Sequence, residues 1–136
     1  MTALNADCVT PRRDGFQYPR QVAANEVIFV GALVCLSVTG YLVPASADIT
    51  LKADGVAIEP ANNTGGLDGA MMVTVEKRPS RLSNSLNADL ITIANIGANC
   101  YVVDDATVGL TNGGGTRPIA GLIAGVDSDG VWVKFQ

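Results

Sequence analysis

The chain has 136 residues, 48% hydrophobic and only 16% charged, with no histidine and a net charge of −4. Histidine is the usual proton shuttle near neutral pH and the commonest metal ligand, so its absence rules out His-dependent triads, Cys–His dyads and most zinc sites. The acidic balance argues against a nucleic-acid footprint, and charge well below the roughly one quarter usual in globular proteins leaves part of the exterior to be covered by copies of the chain or by a partner.

Residues 1–21 are polar, with Pro11, Pro19 and mixed charge, and are predicted to form an extended N-terminal arm outside the core. They contain no apolar run of the signal-peptide type. Arg12, Arg13, Phe16, Tyr18 and Arg20 in this arm are candidate docking residues, because arginines and aromatics anchor interface centres. The two rings folding back on the domain is an equal expectation.

Residues 22–136 are long enough for one domain with a real core. The segment 26–38 predicts one long or two short strands, with a bend at Gly31. Residues 27–47 carry no charge, but Gly31, Gly40 and Pro44 interrupt them. The dense stretch 27–38 therefore reads as buried β structure and not as a membrane helix. Thr39-Gly40 turns the chain, Tyr41-Leu42-Val43 returns, and Pro44 ends that strand or confines it to an edge. A short strand over 47–53, a turn at Asp54-Gly55 and a strand at Val56-Ala57-Ile58 follow.

Residues 60–69 read as loop, 70–76 as a clean strand and 78–87 as loop. Asn62-Asn63-Thr64 spells a glycosylation sequon, taken as coincidence. Residues 88–97 fit helix and strand equally. A strand over 99–103, a turn at Asp104-Asp105, a strand over 107–111 and a glycine-rich tip at 112–115 come next. Residues 120–136 form a hairpin around Asp127-Ser128-Asp129-Gly130, with Val131, Val133 and Phe135 alternating with Trp132 and Lys134. If the valines face inward, Trp132 faces out as an interface anchor; the opposite register buries it.

About eight to ten short strands with regular turn signals predict an all-β fold, a small single-domain β-barrel or sandwich with the extended N-terminal arm. No internal repeat is legible.

No catalytic, cofactor-binding or metal-binding residue emerges. Cys8, Cys35 and Cys100 include no C-x-x-C pair; the last two sit in apolar runs as small core residues, and free thiols fit a reducing compartment. The glycines at 113–115 lack the Gly-Lys-Ser/Thr of a phosphate loop. Asp104-Asp105 and Asp127/Asp129 are turn acids that cap backbone amides and are too few for a calcium loop. No serine has an S-x-x-K base. The chain does not read as an enzyme.

The succession Val30-Gly31-Ala32-Leu33-Val34, Gly40-Tyr41-Leu42-Val43-Pro44-Ala45 and Gly55-Val56-Ala57, then a glycine-rich loop and a strand at 71–76, resembles the tailed-bacteriophage capsid decoration (cement) family. The ending is similar too: Ala98-Asn99-Cys100-Tyr101-Val102-Val103-Asp104-Asp105, Ile119-Ala120-Gly121-Leu122 and Asp129-Gly130-Val131-Trp132-Val133. The likeness covers about residues 22–136, and the order of the pieces carries it. It implies a structural virion protein, made in the bacterial host cytoplasm, that sits on the capsid exterior and cements neighbouring major capsid subunits. Its implied partners are the major capsid protein and itself, as a homotrimer, with no nucleic acid, membrane or cofactor. Arg12, Arg13, Phe16, Tyr18, Arg20 and Trp132 are the expected capsid or self interface. The alternative is a β-barrel binding module, a tail or head-fibre component, that displays loops 60–69 and 112–116 to a receptor or carbohydrate.

Overall fold

The computed structural model describes residues 2–12 and 15–136. Strand follows strand: β1 (Gln17–Gln21), β2 (Val27–Ile28), β3 (Leu33–Leu36), β4 (Leu42–Pro44), β5 (Lys52–Ala57), β6 (Ala61–Asn62), β7 (Met72–Glu76), β8 (Ser80–Leu82), β9 (Asn99–Val102), β10 (Val108–Gly109), β11 (Ile119–Asp127) and β12 (Gly130–Lys134). Between β8 and β9, where helix and strand were equally expected, lie two single 3-10 turns, Asn87–Asp89 and Ile93–Asn95. No helix among the described residues is long and apolar enough to cross a membrane.

The strands form two five-stranded antiparallel sheets, in the orders β1-β7-β5-β3-β4 and β10-β9-β11-β12-β8. A two-stranded ribbon, β2-β6, accompanies them. Each large sheet curls until its margins touch at one isolated parallel bridge, Val22–Leu42 in the first and Ser83–Thr107 in the second. Neither closes into a barrel, so the all-β expectation holds in its open-sheet, sandwich-like form. Proline sits where its missing N–H costs least: Pro19 on edge strand β1 and Pro44 on edge strand β4.

β3 shows why its sequence is uninterruptedly apolar. Side chains alternate across a strand. Leu33 and Cys35 enter a core shared with Val102, Ile123, Val131 and Val133 of the second sheet. Val34 and Leu36 point the other way, into a core with Val22, Ile28, Val73 and Val75 under the small ribbon. A strand covered on both faces loses its polar alternation. Fully burying each such side chain contributes on the order of 1.5–3 kcal/mol.

Four expectations are corrected. The last five residues of the expected arm are not outside the domain; they are β1, paired with β7 from Gln17–Glu76 to Gln21–Met72. Asp54-Gly55 is not a turn. Both residues lie inside β5, where Asp54 is the extra residue of a bulge between the pairs Val34–Gly55 and Cys35–Ala53. Gly55 is needed because a Cβ there would stand 2.5 Å from the Glu76 carbonyl oxygen. The expected loop 78–87 contains β8, which pairs with β12 from Ser80–Val133 to Leu82–Val131. Finally, the run 27–38 is not buried throughout: Phe29, Val30 and Val38 are exposed.

Candidate interaction surface

Of the expected interface residues, Arg12 is exposed in the segment before β1, and Arg13 lies outside the described residues. Tyr18 and Arg20 share a strand face two residues apart, and both are turned to an internal task. The Asp54 bulge pushes a carboxylate, 2% exposed, toward the β1 margin. Arg20 grips it as a fork, Nε to Oδ2 at 2.7 Å and Nη2 to Oδ1 at 3.0 Å. Lys77 Nζ stands 3.1 Å from Oδ1. Tyr18 covers both cations, its ring centre 5.1 Å from the Arg20 guanidinium and 5.5 Å from Lys77 Nζ. The hydrogen bond to Asp54 holds the Arg20 pKa above its ordinary value. Phe16 packs under the Arg78 guanidinium, at 4.8 Å. These contacts fasten the edge strand to its sheet, so Arg20 and Tyr18 have a structural task within the domain.

Trp132 lies on the other sheet. Val131 and Val133 are buried, and Trp132 points outward, 39% exposed. It pairs opposite Gly125 and packs over that residue. Its Nε1–H donates to Asp127 Oδ2 at 3.0 Å, and the Arg81 guanidinium lies 6.0 Å from the ring centre. That donated bond lowers the Asp127 pKa. The other Asp127 oxygen accepts from the Asp129 and Gly130 amides at 2.8 and 3.1 Å, closing the β11–β12 turn. The carboxylate is thus occupied in both directions, as a turn acid is expected to be.

Register extends this face. Leu122 stands opposite Lys134 on one side and Asn99 on the other, and Ile119 stands opposite Tyr101. Ile119 and Leu122 are 47% and 37% exposed. The outer face of the second sheet therefore carries an exposed Trp, Ile and Leu beside Arg81 and Lys134, the mixture of aromatic anchor, aliphatic and cation found in protein interfaces.

A second apolar surface was missed in the sequence. Phe29 and Val30 are 67% and 62% exposed at a tight turn, closed by the Ala32 amide donating to Phe29 O at 3.2 Å. Gly31 takes φ +87° at its third position, which fits a type II turn. Phe29 lines a shallow groove with Val27, Pro60 and Met71. The only signal was Gly31, which marks a chain reversal and so an exposed tip beside it.

Among the described residues no three His, Cys, Asp or Glu side chains gather as a metal site. Cys35 and Cys100 are buried, and burial pushes their thiols up to about 12 and about 11, far from thiolate chemistry near neutral pH. Neither a protein-family model, a curated protein nor a solved structure matches this chain.

Proposed function

We propose that the chain is a structural protein that binds the outer surface of a phage capsid and holds neighbouring capsid subunits together, itself as a trimer. One observation supports this reading above the others: Trp132 is held outward, by Asp127 and across Gly125, in a sheet face that also exposes Ile119 and Leu122. An exposed tryptophan held by a hydrogen bond on a sheet face is a feature of a contact surface. The low charge of the exterior agrees with it. Many modest contacts repeated around a symmetric shell sum to high avidity, so no single strong site is needed. The resemblance in the order of the sequence pieces supports a tailed-phage shell as the partner.

The test is co-sedimentation of the purified protein with empty phage heads, followed by imaging of the particles. The proposal expects density on the head exterior between capsid subunits, and loss of co-sedimentation for Trp132→Asp. Heads that remain bare at saturating protein refute it. Binding that follows added sugar instead of heads would favour a receptor-binding module.

A further inference from the structure

We infer that the chain is a tandem duplication of one five-stranded unit, residues 17–77 and 80–136, stacked head to tail. This inference is independent of the capsid reading. Numbered within each sheet, leaving aside the β2-β6 ribbon, both have the strand order 1-5-4-2-3: β1-β7-β5-β3-β4 and β8-β12-β11-β9-β10. Both are antiparallel, and in both the end of the first strand meets the third through a parallel bridge. Five strands can be ordered in many ways, so sharing one order, one orientation and one closing bridge is specific.

The agreement continues at single atoms. The Gly31 amide donates to Ala57 O at 2.8 Å, and the Gly97 amide donates to Ile123 O at 2.9 Å. Both glycines take positive φ, 87° and 93°. Gly55 and Gly121 each follow a bulge, and at each a Cβ would stand 2.5 Å from a carbonyl oxygen, of Glu76 and Lys134 respectively. The pairs Ala57–Val75 and Ile123–Val133 complete the register. Sequence conceals this because only glycines and a few β-branched positions are shared.

Stacking is head to tail. The inner face of the first unit, with Val34 and Val75, is covered by the β2-β6 ribbon. Its outer face, with Leu33 and Cys35, lies on the inner face of the second unit. The second unit's outer face, which carries Tyr101 and Trp132, is the counterpart with no third unit over it.

The sharpest consequence concerns Arg20, Asp54 and Lys77. By register their counterparts are Leu82, Ala120 and Phe135: Arg20 faces Val73 as Leu82 faces Val131, Asp54 and Ala120 are the two bulge residues, and Lys77 and Phe135 each follow the fifth strand. One unit fills the place with an ion cluster; the other fills it with apolar side chains in the core. Buried ion clusters of this kind can be exchanged for apolar groups that fit.

The experiment is the transplant Arg20→Leu/Asp54→Ala/Lys77→Phe beside the single variant Asp54→Ala, each read by urea unfolding. Equivalence predicts a lowered midpoint, or no folded protein, for the single variant, and recovery to wild type or above in the triple. A triple variant no more stable than the single one overturns the duplication. A second test is a circular permutant opened between Lys77 and Ser80, with Gln136 joined to Phe16 by a three-residue link. Lys77 already binds both ends, its amide to Phe16 O at 2.7 Å and its Nζ to Gln136 O at 3.0 Å. Cooperative unfolding with the wild-type far-UV spectrum supports the inference; an unfolded permutant counts against it.

Discussion

Arg20 on β1 and Asp54 on β5 join through a two-bonded fork although β7 runs between their strands and 34 residues separate them in the chain. The Asp54 carboxylate is buried, so removing its charge leaves Arg20 and Lys77 facing each other without a counter-ion. Asp54→Asn is expected to lower stability by about 2–3 kcal/mol, at or just below the usual range for a broken buried pair because both cations keep some solvent. Arg20→Ala should lose less, since Lys77 still pairs with Asp54. Chemical denaturation of the two variants checks the order.

Truncation separates the exposed N-terminal segment from β1. Deleting residues 2–12, all exposed, should leave the thermal midpoint within a degree or two, because no core side chain is lost. Extending the deletion to residue 21 removes β1 and the Arg20 fork and should abolish cooperative unfolding. Under the proposed function, the shorter deletion also weakens shell attachment; unchanged occupancy of heads would show that this segment plays no part in it.

Trp132→Ala should cost about 1–2 kcal/mol of fold stability, since the ring is already part-exposed and gives up one hydrogen bond. Under the proposed function, its effect on association with heads should be larger, at least tenfold. The variant lacks the only tryptophan and its fluorescence signal, so circular dichroism supplies the stability and sedimentation supplies the binding.

Thiol chemistry should count one cysteine. Cys8 is exposed, while Cys35 and Cys100 are buried with raised pKa values. Maleimide at neutral pH is expected to add once to the native chain and three times in denaturant. Rapid triple labelling of native protein would show that the two cores open readily.

With no histidine, stability should be flat from about pH 5 to 8. The Asp48, Asp89 and Asp127 carboxyls are held below their ordinary values, chiefly by the Thr50 hydroxyl, the Thr111 hydroxyl and the Trp132 indole N–H. A lowered folded pKa means that the unfolded chain binds more protons in acid. The stability they supply is complete above the unfolded value of about 3.9 and is lost as pH falls through the folded values. The thiols act oppositely. Their folded pKa values are raised, so their contribution is complete below the unfolded value of about 8.5 and is lost as pH climbs toward about 11 and 12. Thermal melts from pH 2 to 11 should trace this plateau and its two edges.

Local pattern was enough to identify the all-β class, most strands and the Gly31 and Gly40 turns; it left open whether Pro44 ends its strand or lies on an edge and whether Trp132 faces out, which the sheet order and the burial of Val131 and Val133 decided. What it identified depends on neighbours in the chain: period-two alternation and a glycine where φ is positive. What needed the tertiary structure depends on partners far along the chain. Nothing near Arg20 names Asp54 as its mate. Nothing near Phe29 distinguishes it from Leu33, since both sit in one apolar run and only the closing of the sheet decides which is covered. The match between the two halves is likewise carried by strand order and hydrogen-bond register, which very different side chains satisfy because the backbone donors and acceptors that build a sheet are the same in every residue but proline.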